Sequence, residues 1–200
     1  MHVRDALDRL DQIHDQLARS EVYRGFRVPA VAGVGVLALL AATAQAAVPG
    51  ASAGIGFVWF WVAVAGAGGL IGNAAALHAY LAREDEFARR RTRQVLAQFA
   101  PCVRVGGAVT LGVARAPDLV ALLPGVWAAV FGLGIVATRP HLPRGTGLVG
   151  LAYVTAGAAL LLRAVPGDGP SGWAVGGVFG AGHLLTALVL WRAKEEDTNG

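Results

Sequence analysis

Long apolar stretches with few or no charges run through this chain, and they limit its possible folds more than any other feature. Hydrophobic residues make up 55% of its 200 residues, while charged residues make up only 15%. Ordinary soluble domains carry about 25% charged residues, whereas a helix that crosses a bilayer needs about 20 consecutive apolar ones. The sequence therefore predicts an all-α polytopic membrane protein.

The number of membrane spans depends on one long apolar region, from Val103 to Thr138. Its 36 residues would form about 54 Å of helix, but the hydrocarbon core of a bilayer is about 30 Å thick. We place a break at Arg115 to Asp118, the polar and proline-containing point of the region. The chain then has a bundle of six predicted transmembrane helices, at 28–48, 55–80, 95–114, 119–138, 148–162 and 173–191. The second begins with a group of aromatic residues, which is typical of a membrane–water boundary.

The distribution of basic residues predicts the orientation of the six spans. With this topology, all 17 lysines and arginines except Arg115 and Arg163 fall on one side. Short loops rich in lysine and arginine stay in the cytoplasm, so we expect an inner-membrane protein with both termini cytoplasmic. The basic residues behind the net charge of +4 lie in short segments between apolar runs, so we expect no binding to nucleic acid.

Residues 1–27 precede the first span and combine many charges with one apolar stripe. The stripe consists of Leu7, Leu10, Ile13 and Leu17. This spacing predicts a short cytoplasmic amphipathic helix. Its acidic residues disfavour binding to anionic lipid, so we expect a contact within the chain, with a protein partner, or with a second copy. Residues 192–200 form a polar cytoplasmic tail.

Small residues recur at helical spacing in two of the predicted spans. One ridge consists of Gly172, Gly176 and Gly180, and the other of Gly66, Gly69 and Gly72. Such ridges allow neighbouring transmembrane helices to approach closely. We therefore predict that both ridges pack against other helices of the bundle.

His183 is the most unusual residue of the sixth span, because it lies near the middle of an apolar helix. It follows Gly180 by three residues and so shares its face. A neutral imidazole hydrogen-bonded to another helix, a site for a ligand, proton or ion, and a haem or metal ligand are all compatible with this position. Asn73 and His78 in the second span are candidates for the same ligand or proton path. His78 lies nearer the cytoplasmic end, which disfavours haem held by two histidines.

Arg104 and Cys102 are the remaining chemical features of the spans. Arg104 lies about ten residues into the third span, and the spans contain no central carboxylate to neutralise it. We expect a short or tilted third helix that lets the Arg104 side chain reach the cytoplasmic surface. Cys102 is the only cysteine, which excludes a disulfide within the chain and a multi-cysteine metal site. We predict no cofactor and no bound metal.

The function predicted from these features is non-enzymatic. The sequence contains no HExxH or CxxC motif. We favour an accessory, sensor or scaffold protein of the lipid bilayer that contacts a protein partner through its cytoplasmic segments. The alternative is a small oligomeric transporter or channel with His183 and Asn73 lining its path, and a membrane enzyme or haem protein is a third possibility.

The predicted topology can be checked with reporter fusions. Alkaline phosphatase fused after residue 51, 116 or 168 should be active, because these loops are expected outside the cytoplasm. A fusion after residue 200 should be inactive, and green fluorescent protein at the same site should fluoresce. Phosphatase activity at residue 200 would contradict six spans with cytoplasmic termini.

Overall fold

A computed structural model of the chain describes residues 28–82, 86–143 and 145–199. The predicted amphipathic helix with Leu7, Leu10, Ile13 and Leu17 lies outside the described residues. Within them the chain is helical, without strands. The six α-helices are α1 (Val28–Ala44), α2 (Gly54–Ala82), α3 (Glu86–Val113), α4 (Leu123–Thr138), α5 (Thr146–Arg163) and α6 (Gly172–Asn199). Three 3₁₀ helices follow α1 (Gln45–Ala47), precede α4 (Pro117–Leu122) and follow α4 (Arg139–His141).

Six helices are long and apolar enough to cross a membrane, which confirms the predicted fold class. Their candidate spans are Val28–Ala47, Gly54–Gly72, Thr92–Val113, Pro117–His141, Thr146–Arg163 and Gly172–Glu195. The predicted break in the long apolar region is also present, since α3 ends at Val113 and a 3₁₀ helix begins at Pro117. Proline at the start of a helix lacks an amide hydrogen that would have no partner there.

Two antiparallel helix pairs, α1 with α6 and α4 with α5, form the most extensive contacts of the fold. The α6 ridge of Gly172, Gly176 and Gly180 faces α1. A Cβ atom on Gly176 would lie 2.5 Å from the Ala38 carbonyl oxygen, and one on Gly180 would lie 3.1 Å from the Gly35 carbonyl oxygen. The two backbones therefore touch at this ridge, and larger residues there would force them apart.

The α4–α5 pair uses the same principle at two matched positions. Gly125 lies opposite Gly157, and Gly132 lies opposite Gly150. A Cβ atom on Gly125 would lie 2.8 Å from the Gly157 carbonyl oxygen, and one on Gly132 would lie 2.6 Å from the Gly150 carbonyl oxygen. Both matches belong to one antiparallel register, so glycines fix the relative position of these helices along their length.

The glycines of α2 contact α1 through a different register from the predicted one. A Cβ atom on Gly66 or Gly69 would meet no other atom of the described residues within 4 Å. The close approach occurs instead at Gly68, where a Cβ would lie 3.1 Å from Val34 Cγ1, and more loosely at Gly72, 4.0 Å from Val34 Cγ2. The predicted ridge of Gly66, Gly69 and Gly72 therefore does not act as one packing surface toward α1.

The start of α2 is buried and carries a polar link to α1. Phe57 is fully buried and Trp61 is 3% exposed, whereas Trp59 is 57% exposed. Trp61 Nε1 donates to Gln45 Oε1 over 2.9 Å, and Gln45 Nε2 donates to the Ala51 carbonyl over 2.8 Å. Much of this aromatic group thus belongs to the core, and a buried glutamine fixes the turn between α1 and α2.

The core joins different helices in its two halves. We call the end where α2 finishes at Ala82 and α3 starts at Glu86 the basic end. One core cluster lies far from this end and joins α1, α2, α4 and α6. Val109 and Val113, from the last part of α3, pack against it. The cluster consists of Ala41, Ala42, Phe57, Val58, Trp61, Val120, Leu123 and Val175. The two clusters nearer the basic end contain described residues of α1 and α6, or of α4, α5 and α6, but none of α2 or α3.

Glycine contacts between α4 and α5 give a direct stability prediction. In Gly157→Ala the new methyl would lie 2.5 Å from the Ala129 backbone nitrogen, which cannot move aside, so the free energy of unfolding should fall by about 1–3 kcal/mol. Gly66→Ala is the matched control, because its methyl meets open space. Unfolding in mixed detergent micelles would measure both, and equal effects would contradict the packing described.

Candidate functional site

His183 hydrogen-bonds to a neighbouring helix, and its partner is Tyr153 of α5. The Tyr153 hydroxyl lies 2.9 Å from His183 Nδ1. The carbonyl oxygen of Phe179, one turn earlier in α6, lies 2.8 Å from the same nitrogen. Without a proton, Nδ1 accepts from the Tyr153 hydroxyl; with a proton, it donates to the Phe179 carbonyl. When Nδ1 donates to Phe179, the Tyr153 hydroxyl donates to the same carbonyl over 3.2 Å.

Aromatic rings surround the histidine. The Phe131 ring lies 5.5 Å from the imidazole, and the Tyr153 and Phe179 rings both lie 6.3 Å from it. Tyr153 is only 2% exposed, and its ring packs directly against Gly182, where any side chain would collide with it. Three helices, α4, α5 and α6, thus hold one histidine in a fixed aromatic setting.

His183 lies at the centre of the inward face of α6, yet it is only half-buried. At 3.6 residues per turn, Ala187 and Leu190 flank it on the helix surface, with 5% and 8% of their surface exposed. The exposed leucines of α6, Leu185 and Leu188, lie on the opposite side. The imidazole therefore points into the bundle, where Tyr153, Phe179 and Phe131 contact it.

Helix α3 also reaches this aromatic group, since the Phe99 ring lies 5.4 Å from that of Phe131.

Asn73 and His78 are the residues predicted from the sequence to share a path with His183. Asn73 and His78 lie on α2, but their side chains are outside what the structure describes, so the proposed path between these residues remains a prediction. The described hydrogen bonds of His183 go to Tyr153 and Phe179 instead. The sequence does contain a signal for Tyr153, because it lies three residues after Gly150 and four before Gly157, on the packing face of α5.

Arg104 is exposed on α3, and its depth can be judged from neighbouring contacts. Gln98 Nε2 lies 3.1 Å from His141 Nε2, where a 3₁₀ helix ends at the basic end. Arg104 follows Gln98 by six residues, about 9 Å along the helix. Helical side chains lean toward the helix N-terminus, which in α3 is the basic end. This geometry favours the predicted extension of Arg104 toward the membrane surface.

The described side chains around His183 offer hydrogen bonding and aromatic contact. Among the described residues, no group of three or more histidine, cysteine, aspartate or glutamate side chains is arranged to hold a metal ion. Comparison of the chain with known protein families, characterised proteins and solved structures gives no match. The site around His183 therefore has to be interpreted from its own geometry.

The Tyr153–His183 contact can be tested by removing one hydroxyl. Tyr153→Phe should lower the free energy of unfolding by about 0.6–1.7 kcal/mol, the range for hydrogen bonds between transmembrane helices. Thr155→Val is the control, because the Thr155 hydroxyl is exposed and bonds within its own helix to Leu151. Adding His183→Phe to Tyr153→Phe should cost less than the sum of the single effects, and strict additivity would contradict a direct bond.

Proposed function

We propose that this chain is a non-enzymatic accessory, sensor or scaffold protein of the cell's inner membrane. It contacts a protein partner through segments on its basic end, which faces the cytoplasm together with both termini. The observation that carries the proposal is the length of the helices that reach this end.

Helices α2 and α3 are longer than a membrane requires. With 29 and 28 residues, they measure about 43 Å and 42 Å at 1.5 Å per residue, against a hydrocarbon core of about 30 Å. Charged residues are concentrated at 83–94, between and within the ends of these helices. The excess of about 12 Å is therefore best accommodated in water at the basic end.

Helix α6 supports the same arrangement. It has 28 residues and continues to Asn199, beyond the candidate span that ends at Glu195. Its charged last turns lie on the same side as the ends of α2 and α3, because α6 runs antiparallel to α1. These helix ends therefore lie at one end of the bundle, the end that the proposed partner would approach.

The alternative, a small oligomeric transporter or channel, draws support from the half-buried position of His183 in the interior. A transport path would require solute flux in liposomes that His183→Ala abolishes while the protein stays folded. The accessory proposal predicts no such flux, so this assay separates the two functions.

The partner proposal predicts specific copurification from native membranes in mild detergent. Full-length protein should retain a defined partner, and a variant lacking residues 1–20 should lose it, because the apolar stripe is removed. Mass spectrometry of the copurified proteins would identify the partner.

A matched pair of variants separates the stripe from the charge of the same helix. Replacing Leu7, Leu10 and Leu17 by asparagine should release the partner, while replacing Asp5, Asp8 and Asp15 by asparagine should affect it much less. Retention of the same partner by the truncated chain would refute the assigned role of the N-terminal segment.

A further inference from the structure

We propose that a cavity at the end of the bundle opposite the basic end binds the head group of a zwitterionic phospholipid, in which a phosphate lies next to an ammonium group. Arg163 holds the phosphate and Asp168 holds the ammonium. The proposal goes beyond the proposed function and does not depend on it, because it requires only that the six helices span a membrane. It also concerns the end of the bundle away from the proposed partner surface.

The cavity lies where α5 ends and α6 begins, and its volume is about 180 Å³. Its walls are the start of α4, the end of α5, the loop at 164–171 and the first turn of α6. Backbone hydrogen bonds fix the loop, since the Gly167 N–H donates to the Asp118 carbonyl over 2.8 Å and the Asp168 N–H donates to the Val165 carbonyl over 3.1 Å. Every loop at this end of the bundle belongs to the described residues, so the walls of the cavity are complete.

Two opposite charges border the cavity without pairing with each other. Arg163 and Asp168 both line it and are exposed, and neither side chain forms an ion pair or a hydrogen bond with a described residue. A guanidinium group binds phosphate through paired, charge-assisted hydrogen bonds, and a carboxylate accepts hydrogen bonds from an ammonium group. A ligand that carries a phosphate beside an ammonium group therefore satisfies both residues at once.

The first turn of α6 adds a second attraction for the phosphate. Ser171 and Ala174 bring this turn to the wall of the cavity. The first N–H groups of a helix have no partner within the helix and carry a partial positive charge, which favours a bound anion. The phosphate is therefore expected between Arg163 and the start of α6, with the ammonium toward Asp168.

The surroundings of the cavity favour a phospholipid over a soluble zwitterion. Beside Arg163, the Leu162 side chain is 89% exposed, and Val165 is 55% exposed. Apolar side chains exposed at the end of a membrane span face lipid, so a lipid whose head group enters the cavity can lay its acyl chains along α5. Pockets between transmembrane helices that carry basic residues are known to bind phospholipid head groups. An anionic head group without an ammonium would leave the Asp168 carboxylate beside a second negative charge.

Native mass spectrometry of the purified full-length protein tests the proposal, with phosphatidylethanolamine and phosphatidylglycerol of identical acyl chains added in detergent. The wild-type protein should bind phosphatidylethanolamine about threefold more tightly or better, the effect of one exposed charge contact. Arg163→Gln should weaken the binding of both lipids by a similar factor, because both carry a phosphate. Asp168→Asn should weaken only phosphatidylethanolamine and remove the preference.

Matched controls come from the same end of the bundle. Arg115→Gln and Asp118→Asn remove the same charges, but these residues do not line the cavity, so the binding of both lipids should be unchanged. Soluble O-phosphoethanolamine tests the source of the head group, and without acyl chains it should bind much more weakly than the lipid. Equal binding of the two lipids by the wild-type protein, a preference that survives Asp168→Asn, or O-phosphoethanolamine binding as tight as that of the lipid would overturn the proposal.

Discussion

Backbone contact between glycine-lined helices is the interaction on which the rest of this structure depends. In a bilayer the hydrophobic effect does not drive helices together, because lipid is as apolar as a leucine side chain. Close packing must hold the bundle, and here glycines bring α1 against α6 and α4 against α5. Helix α2 packs against the first of these pairs and α3 against the second.

Helices α2 and α3 pack mainly against different pairs, α2 against α1 and α3 against α4. Far from the basic end, Phe57 and Trp61 pack α2 into the core, and the Trp127 indole donates to Thr110 over 2.8 Å to link α4 with α3. Toward the basic end, Gly68 of α2 lies against Val34 of α1, and Phe99 of α3 packs against Phe131 of α4.

The sequence predicted the features that depend on composition and local spacing. Six apolar segments and the proline break at Pro117 are visible without a structure, because the thickness of a bilayer limits helix length. The sequence does not show which glycines of α2 pack against α1. Two series at helical spacing are possible among the four candidates, which are Gly66, Gly68, Gly69 and Gly72. The contact with Val34 of α1 selects Gly68 and Gly72.

At the candidate site, too, the sequence predicts one residue but not its partner on another helix. The sequence singles out His183 because an ionisable residue within an apolar span is unusual, and its spacing from Gly180 predicts its inward direction. Its partner Tyr153 is 30 residues away in sequence, and its relation to His183 depends on how α5 and α6 are rotated about their axes. Pairings between helices of this kind arise from tertiary packing, which a single sequence does not specify.

The central claim is that glycine-lined backbone contact holds the helix pairs together, and a matched pair of substitutions on α6 tests it most directly. In Gly176→Ala the new methyl would lie 2.5 Å from the Ala38 carbonyl oxygen of α1, whereas in Gly177→Ala it would make an ordinary contact 3.8 Å from the Trp173 ring. We predict that Gly176→Ala lowers the free energy of unfolding in mixed detergent micelles by about 1–3 kcal/mol, while Gly177→Ala leaves it nearly unchanged. Equal effects of the two substitutions would contradict the claim.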